Sequence, residues 1–345
     1  MRVFQTMAGA EYGGAEAFFT RLVLALRRRG LHQHVVIRKN PDRAARLRDG
    51  GVNPVELSFG GKLDFLTPLI LRREIRMFKP DVVLSWMNRA TSMVPKGNKG
   101  NFVHAARLGG YYDLKYYQAC DHLIGNTRDI VDYIVNSGWP QEKAHYLPNF
   151  VDKGNLPPIR RKDLYTPEKA PLILALGRLH ENKAYDVLLK ALARMPDAYL
   201  WLAGEGPERE KLETMAEKAG IKPRVRFLGW REDTSALFAA ADLFACPSRH
   251  EPLGNVIVEA WAHNVPVVAS KSQGPAALIR DGENGLLVDV EDDKALASAI
   301  RRVRQDSDLR NRIVDAGRKS YEADYTEEKV VESYLRFFEQ VAGNK

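Results

Sequence analysis

The chain has 345 residues, 45% of them hydrophobic, which is long enough for two domains of ordinary size with a core each. No stretch approaches the roughly 18 uncharged apolar residues that span a bilayer, and the opening Met1-Arg-Val-Phe-Gln-Thr lacks the apolar core of a signal peptide, so a cytoplasmic protein is expected. The formal charge of +8 is carried unevenly: residues 1–158 hold 23 Lys and Arg against 14 Asp and Glu, and the remainder holds 29 against 30.

Basic clusters such as Arg27-Arg28-Arg29, Arg43 to Arg48 and Arg72-Arg73-Glu-Ile-Arg76 suit either a solvated face or contact with anionic lipid or a phosphorylated acceptor. No reader module for nucleic acid accompanies them, and no nucleic-acid partner is expected. Cys120 and Cys246 are the only cysteines; they lie far apart and read as two reduced thiols, and no Cys/His cluster has zinc-ligand spacing.

In chain order, short apolar runs alternate with longer helical patterns. Val3-Phe-Gln, Val35-Val-Ile, Asp81 to Ser85 and His122 to Gly125 predict strands in the first half. Leu172 to Leu176, Tyr199 to Ala203, Val225 to Leu228, Ala241 to Ala245 and Val265 to Ala269 predict strands in the second. That rhythm is the one of parallel sheets covered by helices, an α/β class. The proline-rich, aperiodic stretch from Leu147 to Lys162 marks a boundary, giving domains at 1–155 and 156–325. Asp292 to Ala316 is a charged amphipathic helical region. In the terminal segment 326–345, Val330, Tyr334, Phe337, Phe338 and Val341 recur at helical spacing, an apolar face suited to completing the first domain.

Chemistry-bearing residues gather after the predicted strands. Gly13 and Gly14 follow the first strand and open a helix, either as a turn or as a close approach for a phosphate or sugar. The dinucleotide fingerprint Gly-x-Gly-x-x-Gly is absent. Arg178 and Lys183 follow Leu172–Leu176; at the carboxyl end of a strand, two cations suit a diphosphate, although an incidental surface pair reads the same in isolation. Gly204 and Gly229-Trp230 follow the next two strands, as ligand approach and base flank or as a turn glycine and a core tryptophan. Past Ala241–Ala245, Glu251 falls in a loop and Glu259 in a helix, with the amides near Gly254, Asn255 and Val256 between them. A crevice with cations in the middle and carboxylates for hydroxyls fits a nucleotide-sugar.

The ordered set Gly13-Gly14-Ala-Glu16, Gly177-Arg178-Leu-x-x-x-Lys183, Gly204-Glu-Gly-Pro207, Phe227-Leu-Gly229, Pro247-Ser-x-x-Glu251-Pro-x-Gly254-x-x-x-x-Glu259-Ala and Asp281-Gly-x-Asn284-Gly-Leu-Leu-Val288 resembles family 4 of the retaining glycosyltransferases, including those of bacterial lipopolysaccharide synthesis. The resemblance spans nearly the whole chain. It implies the GT-B architecture, two Rossmann-like domains with parallel sheets facing across a cleft. The first would hold the acceptor and the second a nucleoside-diphosphate sugar.

Carried over, Arg178 and Lys183 grip the diphosphate, Glu251 binds hydroxyls of the transferred sugar and Glu259 those of the ribose. Leu253, Gly254 and Asn255 contact sugar and phosphate, Gly204, Gly229 and Trp230 line the donor, and Gly13-Gly14 close on it. Transfer with retention and without a metal or other cofactor is implied, the phosphate charge being met by cations and amides. The only Asp-x-Asp, Asp306-Ser-Asp308, lies in a helical surface region and reads as a helix cap.

Two departures stand out. Many members carry a His or Asp after the segment matching Asn101-Phe-Val; here His104, Arg107 and Asp113 are the candidates for the sugar or acceptor side, and none matches cleanly. Ala277 stands where a Glu is common. Tyr111, Tyr112, Tyr116 and Tyr117 suit either core packing or stacking on acceptor sugars.

The expected partners are thus a nucleotide-sugar and a glycan or lipid-linked acceptor, with an anionic membrane surface reached through the basic first domain. The protein would then sit at the inner face of the membrane. The rival readings are a nucleotide-sugar epimerase and a non-catalytic nucleotide-sugar binding protein.

Overall fold

Each of the nine apolar runs becomes a strand, and four strands that the pattern did not announce complete two sheets. The computed structural model describes residues 1–11, 13–60, 64–95, 102–151, 153–154 and 156–343. It divides into one unit of Met1–Phe150 with the terminal segment Glu327–Lys345, and a second of Val151–Thr326.

The first unit contains β1 (Arg2–Met7), β2 (His32–Arg38), β3 (Val55–Leu57), β4 (Val82–Trp86), β5 (Val103–Leu108), β6 (His122–Gly125) and β7 (Ala144–Tyr146), in the spatial order β3-β2-β1-β4-β5-β6-β7. The second contains β8 (Leu172–Leu176), β9 (Tyr199–Ala203), β10 (Val225–Gly229), β11 (Leu243–Cys246), β12 (Val267–Ser270) and β13 (Leu286–Val288), in the order β10-β9-β8-β11-β12-β13. Every pairing between them is parallel. Both orders reverse after the first strand, the Rossmann pattern, with switch points between β1 and β4 and between β8 and β11.

Parallel strands covered on both faces are apolar throughout, and β4, β8, β11 and β12 are buried at every position. The two-residue period divides each sheet between two cores. In the second unit Ile173, Ala175, Leu200, Leu202 and Ala245 face one core, and Leu172, Leu174, Trp201, Phe244 and Cys246 the other.

In the first unit the helix Glu327–Gly343 lays Val330, Tyr334, Phe337, Phe338 and Val341 against Phe18, Phe19, Trp86 and Phe150. The charged region after β13 forms two helices, Asp293–Gln305 and Ser307–Asp324, because Asp306 adopts an extended conformation and accepts the Leu309 amide as a cap at 2.9 Å.

A buried polar contact ties the terminal helix to the sheet. Arg107 of β5, 1% exposed, lies between the Phe18 and Trp86 rings at 4.8 Å from each and donates its Nε to the Tyr334 hydroxyl at 2.8 Å. Removing that hydroxyl leaves a buried donor of a charged group unpaired. Tyr334→Phe is therefore expected to lower the unfolding free energy of the first domain by about 1–3 kcal/mol, read as a lower urea midpoint. An unchanged midpoint would show that Arg107 finds another acceptor.

Candidate functional site

The loops that leave β8 and β11 are neighbours only because the strand order reverses between them. From β8 the chain passes through Gly177 and the exposed Arg178 into one turn of 3-10 helix, Glu181–Lys183, then Ala184 at φ 51° before the helix Tyr185–Ala193. A non-glycine residue in left-handed conformation is strained, and it aims the preceding Lys183. From β11 the chain runs through Pro247 and Ser248 to Glu251.

The Lys183 ammonium forms an ion pair with the Glu251 carboxylate, whose side chain is only 10% exposed. Burial pushes the neighbouring Cys246 thiol up to about 11, and the Glu251 charge pushes it the same way. Arg178 pairs with no carboxylate among the described residues.

Arg249 stitches the two loops together. Its amide and that of His250 both donate to the Asn182 carbonyl, at 2.8 and 3.1 Å. Its guanidinium donates to the Glu181 carbonyl at 2.7 Å, forks onto Asp186 at 2.8 and 3.0 Å, and pairs with Glu291. Burial alone would raise the Asp186 carboxyl, but the bidentate Arg249 holds it below the usual range.

The turn at Leu253-Gly254-Asn255 opens the helix Asn255–Ala262. Gly254 stands at φ 67° and donates its N–H to Glu251 Oε1 at 3.4 Å. Gly274 presses on this turn from the next loop: its N–H reaches the Glu251 carbonyl at 2.6 Å, and a Cβ there would lie 2.5 Å from the same oxygen. Glu259 sits one turn into the helix and is half-buried.

Gly204 lies where the β9 loop crosses the β8 loop, so the space left by its missing side chain is taken by the Gly177 carbonyl. Its N–H donates to the Gly229 carbonyl at 2.7 Å, which places Gly229 beside it. Trp230, next in the chain, is 74% exposed, so the core-tryptophan reading does not hold.

In the first unit Gly13 and Gly14 open the helix Gly14–Arg28 at the carboxyl end of β1. Glu16 fills the space beside Gly9 and Gly13 and accepts the Ala10 amide at 2.7 Å, whereas nothing lies within 4 Å of where a Gly14 Cβ would be. Arg43, 6% exposed, donates to the Ala10 carbonyl at 2.7 Å and the Glu11 carbonyl at 3.2 Å, holding the same loop. Gly13, Thr20, Arg43 and Arg46 are among the residues lining a cavity of about 90 Å³ there.

The other first-half candidates are scattered. His104 is 2% exposed near the start of β5, with Nε2 on the Ser85 hydroxyl at 2.9 Å. Arg107 is the buried tie to Tyr334. Asp113 is exposed, caps the turn Leu114–Tyr116 and pairs with Lys115. Asn101, used to align this segment, lies outside the described residues.

Tyr117 is buried, and Tyr111 and Tyr116 are 44% and 42% exposed. Among the described residues, no group of three or more His, Cys, Asp and Glu is gathered as metal ligands, and no helix is long and apolar enough to cross a membrane.

Two family models divide the chain much as the sheets do: Glycosyltransferase Family 4 matches residues 12–154, and Glycosyl transferases group 1 matches residues 158–320. The chain is 38% identical over 331 residues to the lipopolysaccharide core biosynthesis glycosyltransferase LpsE of Rhizobium meliloti, covering 94% of this chain and 95% of that one. The chain belongs to glycosyltransferase family 4.

The glycosyltransferase is also 35% identical to LpsD of the same organism, over 99% of its own length and 98% of that protein's. Its fold matches the crystal structure of Anabaena HepE in complex with UDP, with a TM-score of 0.84 at 21% identity, covering 99% and 100% of the two chains. The fold is therefore GT-B, with two Rossmann-like domains.

Sequence reasoning on the glycosyltransferase missed Arg249 and Asp186, and it read Arg43 only within a basic cluster, solvated or meeting an anion, whereas Arg43 is buried and holds the loop after β1. Arg249 and Asp186 lie inside or beside quoted motifs, and the signal available was an unpaired charge type at a strand-end loop. Nothing in the spacing says that the two meet.

His104 has a consequence for stability. Burial lowers its imidazole from 6.5 to about 4, so between those values the unfolded chain binds a proton that the folded one refuses. Stability then falls as pH drops through that window. His104→Gln is expected to remove about 3 kcal/mol of that acid sensitivity, measured as the urea midpoint from pH 7 to pH 4. An acid limb identical to the parent's would contradict the buried neutral histidine.

Proposed function

We propose that this glycosyltransferase moves a sugar from a nucleoside-diphosphate sugar, with retention and without a metal, to a glycan or lipid-linked acceptor of lipopolysaccharide or other cell-surface polysaccharide synthesis. The observation that carries the donor reading is the Lys183–Glu251 pair, flanked by exposed Arg178 and the helix start at Gly254-Asn255, on the β8–β11 switch point.

As the anomeric carbon leaves the diphosphate, negative charge grows on phosphate oxygens. Arg178 and Lys183 stabilise it as fixed cations, and the Gly254-Asn255 helix terminus adds its dipole. Glu251, already holding Lys183, accepts hydroxyl hydrogens of the transferred sugar and so couples sugar to phosphate. Glu259 receives the ribose hydroxyls, and exposed Trp230 offers a face for the base. With the acceptor hydroxyl on the same face as the leaving group, a departing phosphate oxygen takes its proton and the configuration is retained.

The acceptor class is supported by the names of LpsE and LpsD, both lipopolysaccharide core biosynthesis enzymes, and the donor class by the UDP bound to HepE. The basic first half suits an acceptor bearing anionic groups at the inner face of a membrane.

A thermal-shift panel of nucleoside diphosphates and their sugars tests the donor reading. One base is expected to raise the midpoint, a ligand at about a hundred times its Kd adding roughly 2.7 kcal/mol. Lys183→Gln should abolish that shift. Glu251→Gln should keep the diphosphate shift and lose the extra contributed by the sugar. Equal loss of both shifts in the two variants would contradict the assignment. A product whose anomeric configuration is inverted relative to the donor would contradict retention.

A further inference from the structure

The first domain carries one helix whose outward face is built unlike a solvated surface. In Leu66–Phe78 the residues Thr67, Leu71, Ile75 and Phe78 face the core. On the opposite side Phe65 is 71% exposed, Leu66 70%, Leu69 61% and Met77 63%. Single exposed apolar residues are ordinary, but four large ones on or beside a 13-residue helix are a patch.

Arg72, Arg73 and Arg76 are exposed on the same helix. At 100° per residue, Phe65, Leu69 and the three arginines fall within an arc of about 100°, with Leu66 and Met77 at its border. Glu74, the one acid of this helix, is turned away and pairs with His34 of β2 at 3.1 Å. The outward arc thus combines apolar side chains with three fixed positive charges and no carboxylate.

The start of the helix is held in place. Asp64 accepts the Thr67 amide at 3.0 Å, the Thr67 hydroxyl at 2.6 Å and the Gly60 amide at 2.6 Å. Phe65 and Leu66 are therefore presented by an anchored turn.

We propose that this face docks on an anionic lipid bilayer, with Phe65, Leu66 and Leu69 entering the boundary between headgroups and acyl chains and Arg72, Arg73 and Arg76 meeting lipid phosphates. The inference rests on the reading of the acceptor as membrane-borne and names the surface that brings the enzyme to it. An interfacial helix needs this combination, an apolar strip for insertion and cations for the headgroups. A second copy of the chain is disfavoured as the occupant, because a two-fold contact would bring one set of three arginines against the other.

The test is co-sedimentation of the full chain with phosphatidylcholine vesicles, with and without phosphatidylglycerol, in parallel with the nucleoside-diphosphate thermal shift. Binding to the anionic vesicles is expected for the parent. Changing Arg72, Arg73 and Arg76 to Gln should weaken it on the order of a hundredfold, at about fivefold per arginine. Changing Phe65, Leu66 and Leu69 to Ser should weaken it at least tenfold and make the remainder fully salt-sensitive.

Because all six side chains are exposed, both variants should keep the parent's melting temperature and nucleotide shift. Parent-like binding by both variants, or no binding by the parent, would overturn the docking face while an intact nucleotide shift left the donor reading standing. A dimer seen by light scattering and abolished by the apolar substitutions would assign the face to a second copy instead. Loss of the nucleotide shift alone would count against the donor reading and not against docking.

Discussion

A carboxylate as enclosed as Glu251 is tolerable only beside a cation, and the cation it has comes from 68 residues earlier in the chain. Lys183 and Glu251 belong to loops that follow β8 and β11, and these strands are adjacent because the sheet reverses its order between them. The pair is thus a product of the Rossmann topology, and the loops on either side are shaped to keep it. Ala184 accepts a left-handed backbone to set Lys183, Gly274 has no side chain so that its amide can reach the Glu251 carbonyl, and Arg249 binds both loops at once. Under the proposed donor reading the ion pair also has a chemical use. A phosphate arriving at Lys183 competes with Glu251, which then turns to hydroxyl groups, so nucleotide and sugar recognition become coupled in the proposed donor site.

The same device recurs in the first domain. There the loop leaving β1 is clasped by Arg43, which comes from the helix Pro41–Asp49 after β2, and by Glu16 from its own helix. In each domain a mostly buried arginine holds carbonyls of the loop that leaves the first strand, leaving glycine amides or a lysine in a defined place. Strain accompanies both switch points: Met87, directly after β4, has φ 61°, as Ala184 after the β8 loop has φ 51°. Rigid loops on a sheet edge are what positioning chemistry requires.

Strands whose both faces are apolar were legible because burial from two sides leaves an unbroken apolar run. The four unannounced ones fail for two physical reasons. Strands β3, β7 and β13 have three residues each and lie at sheet edges, too short to show a period. Strand β5 is central but polar, since His104 and Arg107 are buried in it with partners supplied by Ser85 and Tyr334. Those same two residues drew attention as candidates for sugar contact, because a lone His and Arg in a short segment look functional when their partners, up to 227 residues away, are invisible. At the second domain's edge the ordered motifs located Arg178, Lys183, Glu251 and Gly254 in the correct loops. They were silent on the ion pair, on Arg249 and on the use of Gly204 for packing. Spacing reveals which loop a residue occupies, and contact between loops depends on strand order.

The most direct measurement is a double-mutant cycle on Lys183 and Glu251, using Lys183→Met and Glu251→Gln, read as unfolding free energy with and without a saturating nucleoside diphosphate. Without ligand the two substitutions should be coupled by about 1–3 kcal/mol, as contacting charges are, and the coupling should shrink when phosphate takes over Lys183. Effects that add within about 0.5 kcal/mol in the unliganded protein, or a coupling indifferent to the ligand, would contradict the account.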